Sequence, residues 1–214
     1  MNFSFKRVFL FPWFWVLFCS AMFAYPIYRS VNRVLPEELP KLYRIPSFSL
    51  IDENKEIFGD KELKGKVYIA SFFFTSCPTI CPKISHVLAK IQHRLRGVRG
   101  QAYILSFTVD PEKDRPEKLF KYAREYGANP FIWKFLTGEM SSVQELLTKG
   151  FMVAMGLPES LESDVYDIAH SARLILVDQT GNVRGFYTTD KKDVDQLMID
   201  VGLLINREKL KYKN

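Results

Sequence analysis

The chain of 214 residues has little that marks a specialised class. Gly and Pro number eleven each, and no internal repeat is visible. Charged residues make up 25% and apolar residues 47%, ordinary globular values. Together these exclude a collagen, a disordered chain and a polytopic membrane protein. The length suits one domain plus an appendage. Cys is scarce at three and His equally so at three, so thiol or metal chemistry has few residues to work with. The formal net charge of +6 permits contact with an acidic partner or anionic lipid. Lys and Arg read as scattered and mostly near Asp or Glu, so no nucleic acid is expected as a partner.

Aromatic residues crowd into the first thirty positions, and Val8 to Tyr28 is a run of 21 residues without a formal charge. At about 1.5 Å per residue, a helix of that length spans a hydrocarbon core of about 30 Å. The expectation is an arm and transmembrane anchor over 1–28, with Lys6 and Arg7 holding the arm in the cytoplasm. Arg29 and Arg33 beyond the run weigh against that orientation. A cleaved signal peptide fits poorly, because Met22 and Ala24 are followed by Tyr25-Pro26. A lipid anchor on Cys19 would want a small residue before it, where Phe18 stands. Cys19 reads as a small apolar residue of the span. No Arg- and Ser-rich presequence precedes the run, so the expectation is a bacterial cytoplasmic membrane, single-pass, with the rest of the chain periplasmic.

Residues 29–42 read as a tether, 43–208 as one domain and 209–214 as a basic tail. Phe48, Leu50 and Ile57 flank a polar turn and predict a hairpin. Val67 to Phe74 and Ala102 to Val109 are continuous β-prone apolar runs, as buried strands require. Ile84, Val87, Leu88, Ile91 and Leu95 recur at helical spacing and predict a helix over 82–96. Pro116 opens another, through about Tyr126. A short strand over Phe131 to Phe135, a short helix over Ser142 to Thr148 and a surface loop over 156–166 follow. Arg173 to Val177 and Val183 to Tyr187 read as a hairpin, and Asp190 to Asn206 as the last helix. This order predicts an α/β thioredoxin-like mixed sheet flanked by helices.

Outside the first thirty residues only Cys77 and Cys81 remain, spaced C-x-x-x-C between a buried strand and a helix. Pro82 suits the first helical position and places Cys81 near the N-cap. The positive end of the helix dipole favours thiolates, so both sulfurs are expected to be acidic and near the surface. Such a pair forms a reversible disulfide or binds a soft metal. His86 and His93 lie off the apolar face of the helix and read as solvated. His170 stands three residues before a strand whose entry loop, in a thioredoxin-type sheet, packs against the cysteine site. Cys77, Cys81 and His170 form a donor set that suits Cu(I), and also Cu(II) or Zn(II). Asp110 and Asp114 read as shaping the turn into the Pro116 helix, with Asp110 able to tune the cysteines electrostatically. Met152 and Met155 read as loop or core packing rather than thioether ligands.

The stretches Phe-Phe-Phe-Thr-Ser-Cys-Pro-Thr-Ile-Cys-Pro at 72–82, Val-Asp-Pro-Glu-Lys-Asp-Arg-Pro at 109–116 and His-Ser-Ala-Arg-Leu-Ile-Leu-Val-Asp-Gln-Thr-Gly at 170–181 resemble the Sco/SenC family of copper chaperones. Order and spacing agree over roughly residues 45–206. The resemblance implies copper on Cys77, Cys81 and His170, and delivery to the dinuclear copper centre of cytochrome c oxidase subunit II or another copper acceptor. It equally implies reduction of that subunit's cysteines. Ala169 departs from members with an acidic residue before the histidine, which puts any help from that carboxylate in doubt. A metallochaperone is the favoured reading; a membrane-tethered thiol–disulfide reductase and a copper or redox sensor are the rivals.

Overall fold

The apolar run at Val67 forms a strand because both of its faces meet protein. In the computed structural model, Val67, Ile69 and Phe73 enter one hydrophobic cluster, and Tyr68 and Ala70 enter a second on the opposite face. The structure describes residues 12–31, 38–98, 100–152 and 173–211. They divide into two compact units between Glu38 and Leu39.

The first unit contains helix α1 (Pro12–Val31), which exposes Trp13, Leu17, Met22, Phe23 and Tyr28. Pro12 opens the described helix and Pro26 lies inside it. Among the described residues, no helix is long and apolar enough to cross a membrane. The expected span over Val8–Tyr28 therefore lacks structural support. The described helix contains two Trp, two Tyr, two Pro and Arg29, which dilute its apolar character. Val8 to Phe11, the apolar start of the expected run, lies outside the described residues.

The second unit has the order β1 (Ser49–Asp52), β2 (Ile57–Gly59), α2 (Asp60–Leu63), β3 (Val67–Phe73), α3 (Ile80–Leu95), β4 (Ala102–Thr108), α4 (Pro116–Glu125), β5 (Trp133–Thr137), α5 (Met140–Glu145), β6 (Leu174–Val177), β7 (Val183–Tyr187) and α6 (Lys191–Lys211). These strands form one sheet in the order β2-β1-β5-β4-β3-β6-β7. β3, β4 and β5 run parallel, joined through α3 and α4, and all other neighbours are antiparallel. The architecture is thioredoxin-like, as expected.

One face of the sheet packs on α3, α4 and α6 through Leu88, Ile91, Leu95, Leu119, Leu197 and Val201, each almost fully buried. Burying such a side chain contributes about 1.5–3 kcal/mol. The other face is covered by Leu63, Val143, Leu146, Leu147 and Phe151. At the β6–β7 turn, Asp178 accepts the backbone N–H groups of Thr180 and Asn182 at 2.9 and 3.0 Å. It also accepts Arg184 at 2.8 Å, and Gly181 takes the left-handed conformation that closes the turn. The Leu42 N–H donates to the Val183 carbonyl at 3.0 Å, fixing the entry of the chain along β7.

Several boundaries move. The helix expected over 82–96 begins at Ile80, with Thr79 at its N-cap. Cys81 is therefore a first-turn residue and Pro82 the third helical residue; its missing N–H is harmless anywhere in that turn. The strand expected at Phe131 begins at Trp133, and Phe131 is 81% exposed. Lys134 disguised this strand. It is buried because Asp52 accepts its ammonium at 2.5 Å, with Glu53 at 4.0 Å. The helix expected at Ser142 starts at Met140 and widens into a π-helical turn over Leu146–Gly150. The last helix runs on to Lys211. The loop expected over 156–166 lies outside the described residues.

Candidate metal and thiol site

β3 ends at Phe73, and the chain must turn at once to start α3 at Ile80. The Phe74 carbonyl accepts the Cys77 N–H at 3.1 Å, closing that turn. Cys77 thereby stands before the helix and Cys81 inside its first turn. The Cys81 N–H donates to the Cys77 sulfur at 3.4 Å. The two sulfurs converge on one helix N-terminus, as the spacing implied.

They are not alike. Burial pushes the Cys77 thiol up, but the N–H groups of Cys81, Thr79 and Ile80 and the Cys81 thiol outweigh it. Cys77 ends below the usual thiol range. Cys81 is pushed up to about 12 by burial, then by the Cys77 sulfur and the Asp114 carboxylate, against a single opposing N–H from Phe74. The expectation of two acidic, near-surface sulfurs is corrected on both counts. Both cysteines are buried, at 8% and 4% exposed, and only Cys77 is acidic. The first N–H groups of a helix cannot serve two sulfurs equally, and the thiol in front of them takes them.

Asp114 does more than shape a turn. It is fully buried in the connection between β4 and α4 and accepts the Thr75 N–H at 2.9 Å and the Thr75 hydroxyl. It also accepts the Thr108 hydroxyl at 2.7 Å and the Lys118 ammonium at 3.3 Å. Thr75 lies two residues before Cys77, so this carboxylate ties the cysteine loop to the second parallel strand and to α4. Sequence reading missed Thr75, Thr108 and Lys118. The only local signal was the i, i+4 spacing of Asp114 and Lys118. It also missed the buried pair beneath Cys81, where the Ser85 and Tyr122 hydroxyls lie 3.0 Å apart. Asp110 pairs with Lys113 at 3.1 Å and its N–H donates to Thr108, which fits its structural reading.

His86 and His93 are exposed on α3 and are not brought to the cysteines. Met152 is exposed, with a left-handed backbone. Cys19 is an exposed residue of α1. His170, Ala169 and Met155 lie outside the described residues. Among the described residues, no group of three or more His, Cys, Asp or Glu is placed to hold a metal.

Known proteins resemble this chain in sequence and fold. The SCO1/SenC family profile covers residues 37–205. This chain belongs to the SCO1/SenC family. It is 31% identical to the SCO1 protein homolog of Bacillus subtilis over 164 residues, covering 76% of this chain and 83% of that one. Its fold matches BsSco, a member of the Sco family of cytochrome c oxidase assembly proteins in which a disulfide switch is identified. That match has a TM-score of 0.68 at 29% identity, over 80% of this chain and 99% of that one. It also matches Arabidopsis thaliana ScoI with copper bound, with a TM-score of 0.59 at 28% identity, over 76% and 98% of the two chains.

Proposed function

We propose that this Sco/SenC protein is a membrane-anchored copper chaperone. It takes copper as cargo on Cys77, Cys81 and His170 and passes it to the dinuclear copper site of cytochrome c oxidase subunit II. The observation that carries the reading is the convergence of the two sulfurs at the start of α3, where the Cys81 N–H reaches the Cys77 sulfur. A low-pKa sulfur is a ready thiolate for a soft metal. Capture begins at Cys77. Cys81 joins by releasing its proton to solvent, and His170 supplies the third donor. Three-coordination leaves room for an incoming acceptor thiolate, so copper leaves by stepwise ligand exchange without a free ion.

The membrane reading rests on the uncharged run Val8–Tyr28, which the described helix α1 overlaps from Pro12 to Tyr28, and on Lys6 and Arg7 before it. It places the copper domain on the periplasmic side of a bacterial inner membrane.

A second reading is favoured by the unequal thiols. In thiol–disulfide exchange, the Cys77 thiolate attacks one sulfur of a partner disulfide and expels the other as thiolate. Cys81, deprotonated, then attacks Cys77 and releases the partner as a dithiol, and the pair is left as a disulfide. Two electrons pass from this chain to the partner.

Copper titration of the full chain in non-ionic detergent decides between them. One copper per chain, abolished by Cys77→Ala, supports the chaperone. A chain that holds no copper yet reduces a disulfide of oxidase subunit II puts the second reading first.

A further inference from the structure

Between Glu62 and Asp110 the sequence has no Asp or Glu. α3 lies wholly inside this stretch, and its outer face carries Lys83, His86, Lys90, His93 and Arg94, with Arg96 in the turn that follows. All six are exposed. Lys83, His86, Lys90 and His93 are spaced three or four residues apart, Arg94 follows Lys90 by four and Arg96 follows His93 by three, so the six share one side of the helix. At about 1.5 Å per residue the stripe runs about 20 Å from the cysteines along the helix. The other exposed helices of this unit are mixed in sign: α4 carries Glu117 and Glu125 among its cations, and α6 carries Asp193 and Asp195. Basic residues are therefore not evenly scattered near carboxylates, as the composition suggested.

This stripe is a cost to the free protein. Arg94 pairs with Asp195 at 2.7 Å, whereas Lys83, Lys90 and Arg96 have no carboxylate partner among the described residues. Lys90 and Arg94 lie one turn apart and repel. Lys83 also sits in the first turn, where the helix dipole disfavours a cation. α3 exposes no large apolar side chain, so the stripe lacks the apolar anchors by which a helix enters a lipid interface. A basic, polar stripe beginning at the transfer site suits electrostatic steering of a protein.

We infer that the outer face of α3 docks a carboxylate-rich protein surface surrounding the partner's copper site, and aligns that site with Cys77 and Cys81. This rests on the chaperone reading and names the chemistry of its partner. The stripe acts mainly on encounter and orientation, while the cysteines hold the metal.

The test uses the copper-loaded full chain in non-ionic detergent, with the soluble copper-site domain of oxidase subunit II from the same organism as acceptor. The second-order transfer rate should fall at least about tenfold between about 20 mM and about 300 mM salt. Lys90→Glu/Arg96→Glu should lower the low-salt rate at least about tenfold and flatten its salt dependence, with copper affinity unchanged. Lys90→Arg/Arg96→Lys should keep the parent rate, and Lys90→Gln/Arg96→Gln should fall between. A salt-independent rate that the reversal leaves intact overturns the inference. So does a rate change seen only in vesicles containing phosphatidylglycerol, which assigns the stripe to lipid. Failure of the parent chain to bind copper overturns the chaperone reading instead, and copper titration shows this separately.

Discussion

Asp114 accepts the backbone N–H of Thr75 at 2.9 Å across 39 residues of chain. The contact joins the β4–α4 connection to the loop that presents Cys77. A buried carboxylate with four donors around it is stable only while all four remain. Asp114→Ala strands the Thr75 N–H and Lys118, whereas Asp114→Asn keeps the shape and loses the charge. We expect Asp114→Ala to cost about 2–4 kcal/mol and Asp114→Asn less, from loss of charge-assisted hydrogen bonds in a buried site. Urea denaturation measures both, and a loss under about 0.5 kcal/mol for the Ala variant would remove Asp114 from its place as anchor.

The unequal thiols predict unequal reactivity. In the reduced, metal-free chain near neutral pH, iodoacetamide should label Cys77 well before Cys81, because only the thiolate reacts. Peptide mapping of a time course reads the order. Equal labelling, or Cys81 first, contradicts the assignment of the helix N–H groups to Cys77.

Asp178 predicts the acid limb of stability. Burial raises its pKa, but the N–H of Asn182, the Arg184 guanidinium and both donors of Thr180 outweigh burial and hold it below the usual carboxylate range. A carboxyl depressed in the folded state stabilises fully above its unfolded pKa, near about 3.9, and loses that contribution as pH falls through the folded value. Stability should therefore fall on acidification below about pH 4–5. Asp178→Asn should lower stability at neutral pH and flatten this limb, as measured by thermal melts across the range. An unchanged slope would mean that other carboxylates set it.

His170 separates the two readings of function. Disulfide exchange needs the two thiols and access, whereas stable copper coordination needs the imidazole as well. His170→Ala should weaken copper binding at least about tenfold, or roughly 1.4 kcal/mol, with Cu(II) suffering more than Cu(I). The Cys77–Cys81 potential should move by less than about 30 mV, the same energy for a two-electron couple. Unchanged copper affinity with a large shift in potential would make His170 a servant of the thiols.

The proposed topology rests on Lys6 and Arg7 before the uncharged run. A reporter active only in the periplasm, fused after Asn214, should be active. Activity of a cytoplasm-only reporter at that position would sink both the orientation and the delivery role.

The central strands were legible in the sequence because β3 and β4 are buried on both faces, which forces unbroken apolar runs. β5 was displaced because its burial includes Lys134, whose charge is neutralised by Asp52 from the neighbouring strand. That pairing spans 82 residues, beyond any local pattern. The cysteine pair was legible as a site. Its asymmetry was not, because it depends on which sulfur faces the N–H groups of Thr79, Ile80 and Cys81. Pro82 drew the helix start two residues late, since proline is tolerated anywhere in a first turn. The role of Asp114 was hidden for the same reason as the Lys134 pair: Thr75 is its neighbour only once β3 and β4 lie side by side.

Phe151 and Leu174 are both sealed in the core, Phe151 against the rings of Phe72 and Phe107 and Leu174 in β6. The chain between them carries His170, the third donor of the proposed copper site, so that donor is tethered from both sides. Three residues, and so four chain steps, separate His170 from Leu174. At about 3.3–3.6 Å each, chain length alone keeps the His170 Cα within about 14 Å of the Leu174 Cα. In the proposed copper site, such tethering would set an effective imidazole concentration of about millimolar or more. The same bond offered by free imidazole would need that much in solution. Lengthening the chain between Phe151 and Leu174 should dilute the ligand only slowly, because closure entropy grows with the logarithm of loop length.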